Sequence, residues 1–362
     1  MHRPADRLPV LTAVSTLPVV LDDGSILAEN GLQRQYGTIF RIPEALPPLL
    51  SDRKQCTSEA VRAAMTLLVD EWLVDVTAIR EDKCVLIALA LSVVERVLLA
   101  ERPAFFVTSA VRGGGKTTVL NMLALAVLGQ RASAAAWSPN EEERRKALFS
   151  YLMEGIAFLV WDNLHRGAKV SCPHIEKALT AETFSDRILG INSTAAPFAA
   201  TIQAFNGNRI APCGDLVSRS LTVELPIGRL DPENREFKHP DPFDWTLRHR
   251  DRLLVALYTL LLGNPRRAQD PEDRDPAPTR FKQWWDLVGS AVEHAAAVKW
   301  GVELSFKELF ARGERVDEQA LGIAAAVALW GRLALIASAR PLDDSLPFRL
   351  SIAASRVVFT EP

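Results

Sequence analysis

A glycine-rich stretch over residues 110–117, Ala-Val-Arg-Gly-Gly-Gly-Lys-Thr, constrains the fold of this chain more than any other feature. It fits the phosphate-binding loop pattern, with alanine in place of the first glycine. Glycines allow consecutive backbone N–H groups to converge on phosphate oxygens without steric clashes. A short apolar stretch that favours a strand precedes the loop at 104–108, and a helical pattern follows at 117–128, which is the context that such a loop requires. The pattern therefore predicts a site for nucleotide phosphates.

The loop residues have distinct expected roles. Lys116 would reach the β- and γ-phosphates, the hydroxyl of Thr117 would ligate Mg²⁺, and the helix adds the positive end of its dipole. The alternative, a glycine-rich turn with an accidental Lys-Thr pair, is disfavoured by the flanking strand and helix. The expected cofactors are ATP and Mg²⁺. The expected nucleotide-binding residues are Val111, Arg112, Gly113, Gly114, Gly115, Lys116, Thr117 and Thr118.

A second apolar strand, expected over residues 156–161, ends in Asp162. At the carboxyl edge of a parallel sheet, beside the phosphate loop, this carboxylate could hold Mg²⁺ through water. An aspartate that merely caps a turn is the alternative, and the position of Asp162 downstream of Lys116 favours the metal role. Glu176 and Glu182 are candidates for activating water, although either could instead lie on a solvated helix face.

Polar residues also follow a strand expected at 199–205 and precede another expected at 220–225. Either Asn206 or Asn208 could orient the attacking water, and an ordinary Asn-Gly turn explains the same residues equally well. Arg219 could reach the γ-phosphate of a neighbouring subunit, or it could be a surface arginine. Arg187 is a second candidate for that role.

Strand and helix patterns alternate between residues 103 and 230. Further strands are expected at 132–137, 199–205 and 220–225, with a charged helix at 141–153. Five strands interleaved with helices predict an α/β fold of the P-loop NTPase type. Its sheet should be mostly parallel and covered by helices on both faces.

Four regions are expected along the chain. They are a small N-terminal β region and linker (1–50), a helical collar-like region (51–102), the P-loop ATPase domain (103–230) and a mainly helical C-terminal region (231–362). A turn is expected at residues 22–25. Helices outside the ATPase domain are expected at 58–74, 81–99, 247–262, 281–300, 306–311 and 317–339.

The amino-acid composition limits the classes of protein to which this chain can belong. The chain has 362 residues, of which 48% are hydrophobic and 24% charged, and this excludes a disordered or fibrous protein. The net charge of −2 argues mildly against nucleic-acid binding. The four cysteines lack metal-ligand spacing, and neither a signal peptide nor a membrane-spanning stretch is recognisable. The expected location is therefore the cytoplasm, with no membrane partner.

The order of these motifs resembles that of the AAA+ superfamily, and their short spacing is most similar to that of the superfamily-3 helicases of viruses and mobile elements. More specifically, residues 15–310 resemble the helicase-like ATPase module of phage and integrated-element primase-helicase proteins. The segments WSPNEEERRKAL, LTAETFSDRILG, GDLVSRSLTVEL and WWDLVGSAVEHAA carry much of this resemblance.

The resemblance implies an AAA+-like ATPase that assembles as a ring homo-oligomer, usually a hexamer, and moves along single-stranded DNA. Such a DNA helicase would act in the replication of a phage or mobile element, with a primase or another replication protein as a possible partner. Carried over by motif, Lys116, Thr117 and Asp162 are the nucleotide and metal residues. Asn208 matches the sensor position, and Arg219 matches the arginine finger.

Two departures from this family matter. Asn163 stands where an acidic catalytic residue is expected, which places the rate of hydrolysis in question. No primase catalytic signature is visible. The alternative functions are a P-loop ATPase switch and an assembly scaffold, in defence or remodelling, without DNA unwinding.

DNA contact in such a ring needs one or two basic or aromatic side chains per subunit, so a low net charge is compatible with it. Loop residues of this kind are more often ordinary solvated residues, and a basic run on a helix is more often an exposed face or a subunit contact. The candidates are His165, Arg166, Lys169, the segment 191–198 and the run Arg144-Arg145-Lys146.

Overall fold

The computed structural model describes residues 13–43, 53–110, 112–188, 190, 192–226, 236–315, 327, 329–330, 349–353 and 356–360. The chain divides into two compact units, Met1–Glu314 and Arg315–Pro362. The first unit contains all of the predicted site residues.

A five-stranded sheet forms the centre of the first unit. Its strands are β1 (Ala104–Ser109), β2 (Ser133–Ala136), β3 (Phe158–Leu164), β4 (Ile202–Asn208) and β5 (Ser220–Glu224). Their spatial order is β5-β1-β4-β3-β2, and every neighbouring pair is parallel. All residues of β1 are buried, as expected for a central strand covered on both faces. The predicted α/β P-loop fold is confirmed, and its sheet is wholly parallel.

Helices cover both faces of the sheet and extend beyond it. They are α1 (Ser58–Thr66), α2 (Arg80–Glu95), α3 (Lys116–Leu128), α4 (Glu141–Met153), α5 (Pro173–Thr180), α6 (Pro242–Arg248), α7 (Arg250–Leu262), α8 (Lys282–Trp284) and α9 (Ser290–Trp300). A π-helical segment, Leu67–Trp72, follows α1, and another, Trp285–Gly289, joins α8 to α9. A further helix covers 306–315.

The alternation of side chains along β1 separates two apolar cores. Phe105 and Val107 belong to the core shared with α2, α3 and α7. Phe106 faces the other side, together with residues of α4 and α5. There its ring stacks on Phe205 of β4, with 4.5 Å between the ring centroids. This packing aligns β1 with β4, so that Ser109 pairs with Asn208 at the carboxyl edge of the sheet.

Residues 13–40 contain short strands, in the part of the chain where the sequence predicts β structure. Strand Thr38–Phe40 pairs with Ala13–Ser15 in parallel and with Gly31–Gln33 in antiparallel fashion. Val19–Val20 and Ile26–Leu27 form a hairpin around the predicted turn. The Val20 N–H donates to Glu95 Oε1 of α2 at 2.9 Å, which fastens this hairpin to the helices.

Three strand pairs were not predicted. Asp186–Arg187 and Thr194–Ala195 form a hairpin between β3 and β4, and Lys169–Val170 pairs with Ala211–Pro212. In the second unit, Arg349–Ala353 and Arg356–Thr360 form an antiparallel pair, where a mainly helical region was expected. Most of the helix predicted at 317–339 lies outside the described residues. Within the described part, no helix is both long enough and apolar enough to span a membrane.

Candidate nucleotide-binding site

The phosphate loop joins the carboxyl end of β1 to the first turn of α3. Gly113 and Gly115 have φ angles of 77° and 75°, in the left-handed region that favours glycine. A Cβ atom at Gly115 would meet nothing within 4 Å, so this glycine is required by its backbone conformation and borders open space. The first turn of a helix leaves backbone N–H groups free, so the start of α3, beside this space, is where an anion would bind. Val111 lies outside the described residues.

Lys116 lies over the ends of β1 and β4. Its Nζ donates to Ser109 Oγ at 2.7 Å and to Asn208 Oδ1 at 2.8 Å. Partial burial lowers the pKa of Lys116, and the negative charge of Asp162 opposes that shift. The ammonium group is therefore held in place at the loop, ready to exchange these neutral partners for phosphate oxygens.

Asn206 joins the two predicted metal residues. Its Nδ2 donates to Thr117 Oγ1 at 2.8 Å and to Asp162 Oδ1 at 3.2 Å. Asn206 is 3% exposed, and its buried Oδ1 has no hydrogen-bond partner among the described residues. The sequence left Asn206 and Asn208 as alternatives. In the structure both asparagines contact predicted site residues. Asn206 bonds to Thr117 and Asp162, which we call the metal side of β4, and Asn208 bonds to Lys116, which we call the lysine side.

The donor set at this point fits a magnesium ion. A hydroxyl and a carboxylate are hard oxygen ligands, and Mg²⁺ is commonly held by one or two such groups together with substrate phosphates. The described residues contain no cluster of three or more His, Cys, Asp or Glu side chains that could hold a metal by itself. Thr117 and Asp162 would hold Mg²⁺ together with the phosphate oxygens of a nucleotide.

Gly207 separates the two asparagines on β4 and permits close packing there. A Cβ atom on Gly207 would lie 2.6 Å from Ile210 Cγ2 and 3.3 Å from Leu164 Cβ. The pairing of β4 with β3 is irregular between Phe205 and Gly207. Residues two apart on a strand share a face, so one strand delivers both amides to the loop.

Asn163 adopts a left-handed backbone conformation, with a φ of 59°. Its N–H donates to Asp162 Oδ1 at 2.8 Å, and its side chain is exposed. The backbone of Asn163 thus holds the Asp162 carboxylate. Its side-chain amide cannot act as a general base, because it does not accept a proton near neutral pH.

Arg219 lies away from the loop of its own chain. The next residue, Ser220, pairs with Ala104 at the start of β1, whereas the loop follows the end of β1, about 20 Å away at 3.3 Å per residue. The Arg219 guanidinium donates to the Glu176 carbonyl at 3.0 Å and to Thr180 Oγ1 at 3.3 Å. It therefore sits on the last turn of α5, where a cation is favoured by the helix dipole.

Among the described residues, neither Glu176 nor Glu182 has a hydrogen bond or ion pair to the phosphate loop. Glu176 Oε1 accepts hydrogen bonds from the Cys172 N–H and Ser171 Oγ at the start of α5. The carbonyl of Glu182 accepts from the Ala199 N–H, near the amino end of β4. Asp162 is the carboxylate that the observed contacts place at the site.

The basic run on α4 is engaged within the chain. Arg144 donates to the Ser138 carbonyl at 2.8 Å and stacks over Trp137, Arg145 pairs with Glu142 and Asp186, and Lys146 pairs with Glu143 at 2.7 Å. By contrast, His165, Arg166 and Lys169 are exposed after β3. Residues 192–194 of the unpredicted hairpin are also exposed, and Ile191 lies outside the described residues.

Comparison with known proteins gives similarity at the level of structure. No family model and no curated protein matches the sequence. The C-terminal region of NrS-1 aligns with 61% of this chain and 49% of its own length, at 13% identity and a TM-score of 0.35. JCV helicase aligns with 72% of this chain and 73% of its own, at 15% identity and a TM-score of 0.29. The chain thus spans about half the length of the NrS-1 region. With such scores, the fold assignment rests on the strand order and the loop.

Proposed function

We propose that this chain is an ATPase that binds ATP and Mg²⁺ at the loop of residues 110–117. The observation that carries the proposal is the set of contacts from β4, which presents Asn208 to Lys116 and Asn206 to Thr117 and Asp162. In this proposal Lys116 neutralises phosphate charge, and Thr117 and Asp162 supply the oxygen ligands of Mg²⁺. Asn208 orients the attacking water once a nucleotide draws Lys116 away.

We further propose that copies of the chain assemble into a ring, a hexamer, that moves along single-stranded DNA. Such a helicase would act in the cytoplasm in the replication of a phage or mobile element, with a primase or another replication protein as partner. Two features support this proposal. The motif order resembles that of such motors, and Arg219 lies far from its own phosphate loop, as a residue that acts on a neighbouring subunit requires. His165, Arg166 and Lys169 are the proposed DNA contacts.

The test is the rate of ATP hydrolysis with and without single-stranded DNA, together with native mass measurement. We expect DNA to stimulate turnover and the mass to correspond to six copies. Arg219→Ala should abolish turnover, and mixing it with Asp162→Asn should restore part of it, because each variant supplies the group that the other lacks. A rate of ATP hydrolysis that does not depend on DNA would refute the proposed DNA motor, whereas the proposed ATPase activity would still stand.

A second candidate function is an ATP-dependent switch or assembly scaffold without DNA unwinding. The observation that favours it is Asn163, whose side chain cannot take the proton from water and whose backbone holds Asp162. Slow hydrolysis would prolong the ATP-bound state, as a switch requires. Nucleotide-dependent assembly combined with DNA-independent, slow turnover distinguishes this candidate from a motor.

A further inference from the structure

A cavity of about 420 Å³ lies near the amino ends of β1 and β4, at the opposite edge of the sheet from the phosphate loop. Its volume is within the range of small-molecule sites. Arg96 at the end of α2 and Arg102 before β1 contribute to its wall. Arg34 of the N-terminal β region and Glu182 before β4 also line it, and both are exposed.

The two arginines in this wall are buried and meet neutral partners. Arg102 is 1% exposed and Arg96 is 5% exposed. The Nε of Arg102 is buried without a hydrogen-bond partner among the described residues. The Nη groups of both side chains donate to backbone carbonyls: those of Arg102 to Leu99, Ala100 and Ala178, and those of Arg96 to Val14 and Val93.

The charge in this wall is not balanced by a directly bonded carboxylate. Within the described part of the chain, neither Arg96 nor Arg102 forms an ion pair. Burial lowers the pKa of each to about 10, and Glu101 and Glu182 oppose this shift at Arg102. Both arginines remain charged at neutral pH. A buried cation whose partners are neutral carbonyls is costly, and an anion in the cavity would offset that cost.

We propose that this cavity binds a phosphoryl group, with Arg96 and Arg102 on its inner wall and Arg34 at its mouth. Guanidinium groups donate in a planar fork that matches phosphate oxygens. All three line the cavity, and among the described lining residues Glu182 is the one carboxylate, which favours a group with more than one negative charge. The source is either a free phosphate compound or the backbone of single-stranded nucleic acid. The site shares no residue with the phosphate loop and does not rest on the proposed ATPase activity.

The test uses the full chain carrying Lys116→Ala, which disables the phosphate loop, so the result does not depend on ATP hydrolysis. Binding of pyrophosphate and of a short oligothymidylate is measured by calorimetry at low ionic strength. We expect Arg34→Gln to weaken binding about threefold and Glu182→Gln to strengthen it about threefold, the size of one partly exposed charge interaction. Both side chains are exposed, so these variants should fold. Lys307→Gln, at an exposed lysine outside the cavity, is the matched charge control.

If Arg34→Gln weakens and Glu182→Gln strengthens the binding of pyrophosphate, the ligand is a free phosphate compound. If the two variants shift the affinity in this way for the oligonucleotide alone, the ligand is a nucleic-acid backbone. Arg102→Met should abolish binding, with folding checked by circular dichroism. The proposal is overturned if neither probe binds. It is also overturned if the two rim variants do not shift binding in opposite directions, or if Lys307→Gln has the same effect as Arg34→Gln.

Discussion

Replacing Asn206 with alanine removes the side chain that joins Thr117 Oγ1 to Asp162 Oδ1. Two hydrogen bonds are lost, and one of them ends on a carboxylate. At 3% exposure, the amide lies where water does not readily replace it. The Oδ1 atom of Asn206 has no hydrogen-bond partner among the described residues, so its removal breaks no further hydrogen bond there. The change should therefore act on the arrangement of the metal ligands.

The magnitude follows from the hydrogen bond to the charged group. Such bonds contribute about 1.5–3 kcal/mol, and each 1.4 kcal/mol corresponds to about tenfold in an equilibrium constant. Loss of a partner that orients metal ligands commonly costs about 10–100-fold in metal affinity or activity. We therefore expect the Mg²⁺ concentration for half-maximal ATP hydrolysis to rise about 10–100-fold in Asn206→Ala.

The assay is a Mg²⁺ titration of ATP hydrolysis at saturating nucleotide, with thermal unfolding as a check on folding. Asn208→Ala is the matched control, because its amide bonds to Lys116. It should lower the maximal rate without changing the Mg²⁺ requirement. An unchanged requirement in folded Asn206→Ala, or an equal shift in both variants, would refute the division of β4 into a metal side and a lysine side.

Three further predictions concern binding and stability. Lys116→Ala should abolish ATP binding in calorimetry while leaving the fold intact, and unchanged affinity would contradict the phosphate-loop assignment. Burial raises the pKa of Glu95 to about 7, against the opposing effects of Arg267 and the Val20 N–H. Because the pKa of Glu95 is higher in the folded state than in the unfolded state, the free energy of unfolding should fall as the pH rises from about 4.5 to about 7. Denaturant titrations across this range should show a smaller fall in Glu95→Gln, which has no carboxyl group to titrate. Gly207→Ala should cost about 1–3 kcal/mol, because its Cβ would lie 2.6 Å from Ile210 Cγ2. Strict additivity with Ile210→Ala in a double-mutant cycle would argue against that clash.

The central sheet and the phosphate loop were predictable because their signals are local. The loop, the strand that contains Asp162 and helix α4 each carry a pattern within a few consecutive residues. Residues 141–153 were predicted as a helix, and α4 has those bounds. The choice between Asn206 and Asn208 was not local, since it depends on which residues of β1, β3 and α3 face them across the sheet.

Other features were beyond the reach of the sequence. The hairpin of Asp186–Arg187 and Thr194–Ala195 has strands of two residues, which are too short to show a period. Arg96 and Arg102 are buried, although arginine is mostly an exposed residue. The partners of Arg219 on α5 are likewise set by tertiary packing. The roles of Asp162, Asn163, Asn208 and Arg219 in hydrolysis remain predictions.

The strand order has a consequence for how this chain folds during synthesis. The strand that carries the phosphate loop, β1, lies between β4 and β5, so Phe106 pairs with Phe205 on one side and Thr222 on the other. Both neighbours are translated long after β1, and pairings between distant segments form slowly. A nascent chain that has not yet emerged beyond Glu224 cannot complete the centre of the sheet. Its long apolar segments would stay exposed for that time, which makes this stage of synthesis the one most open to aggregation and to chaperone binding.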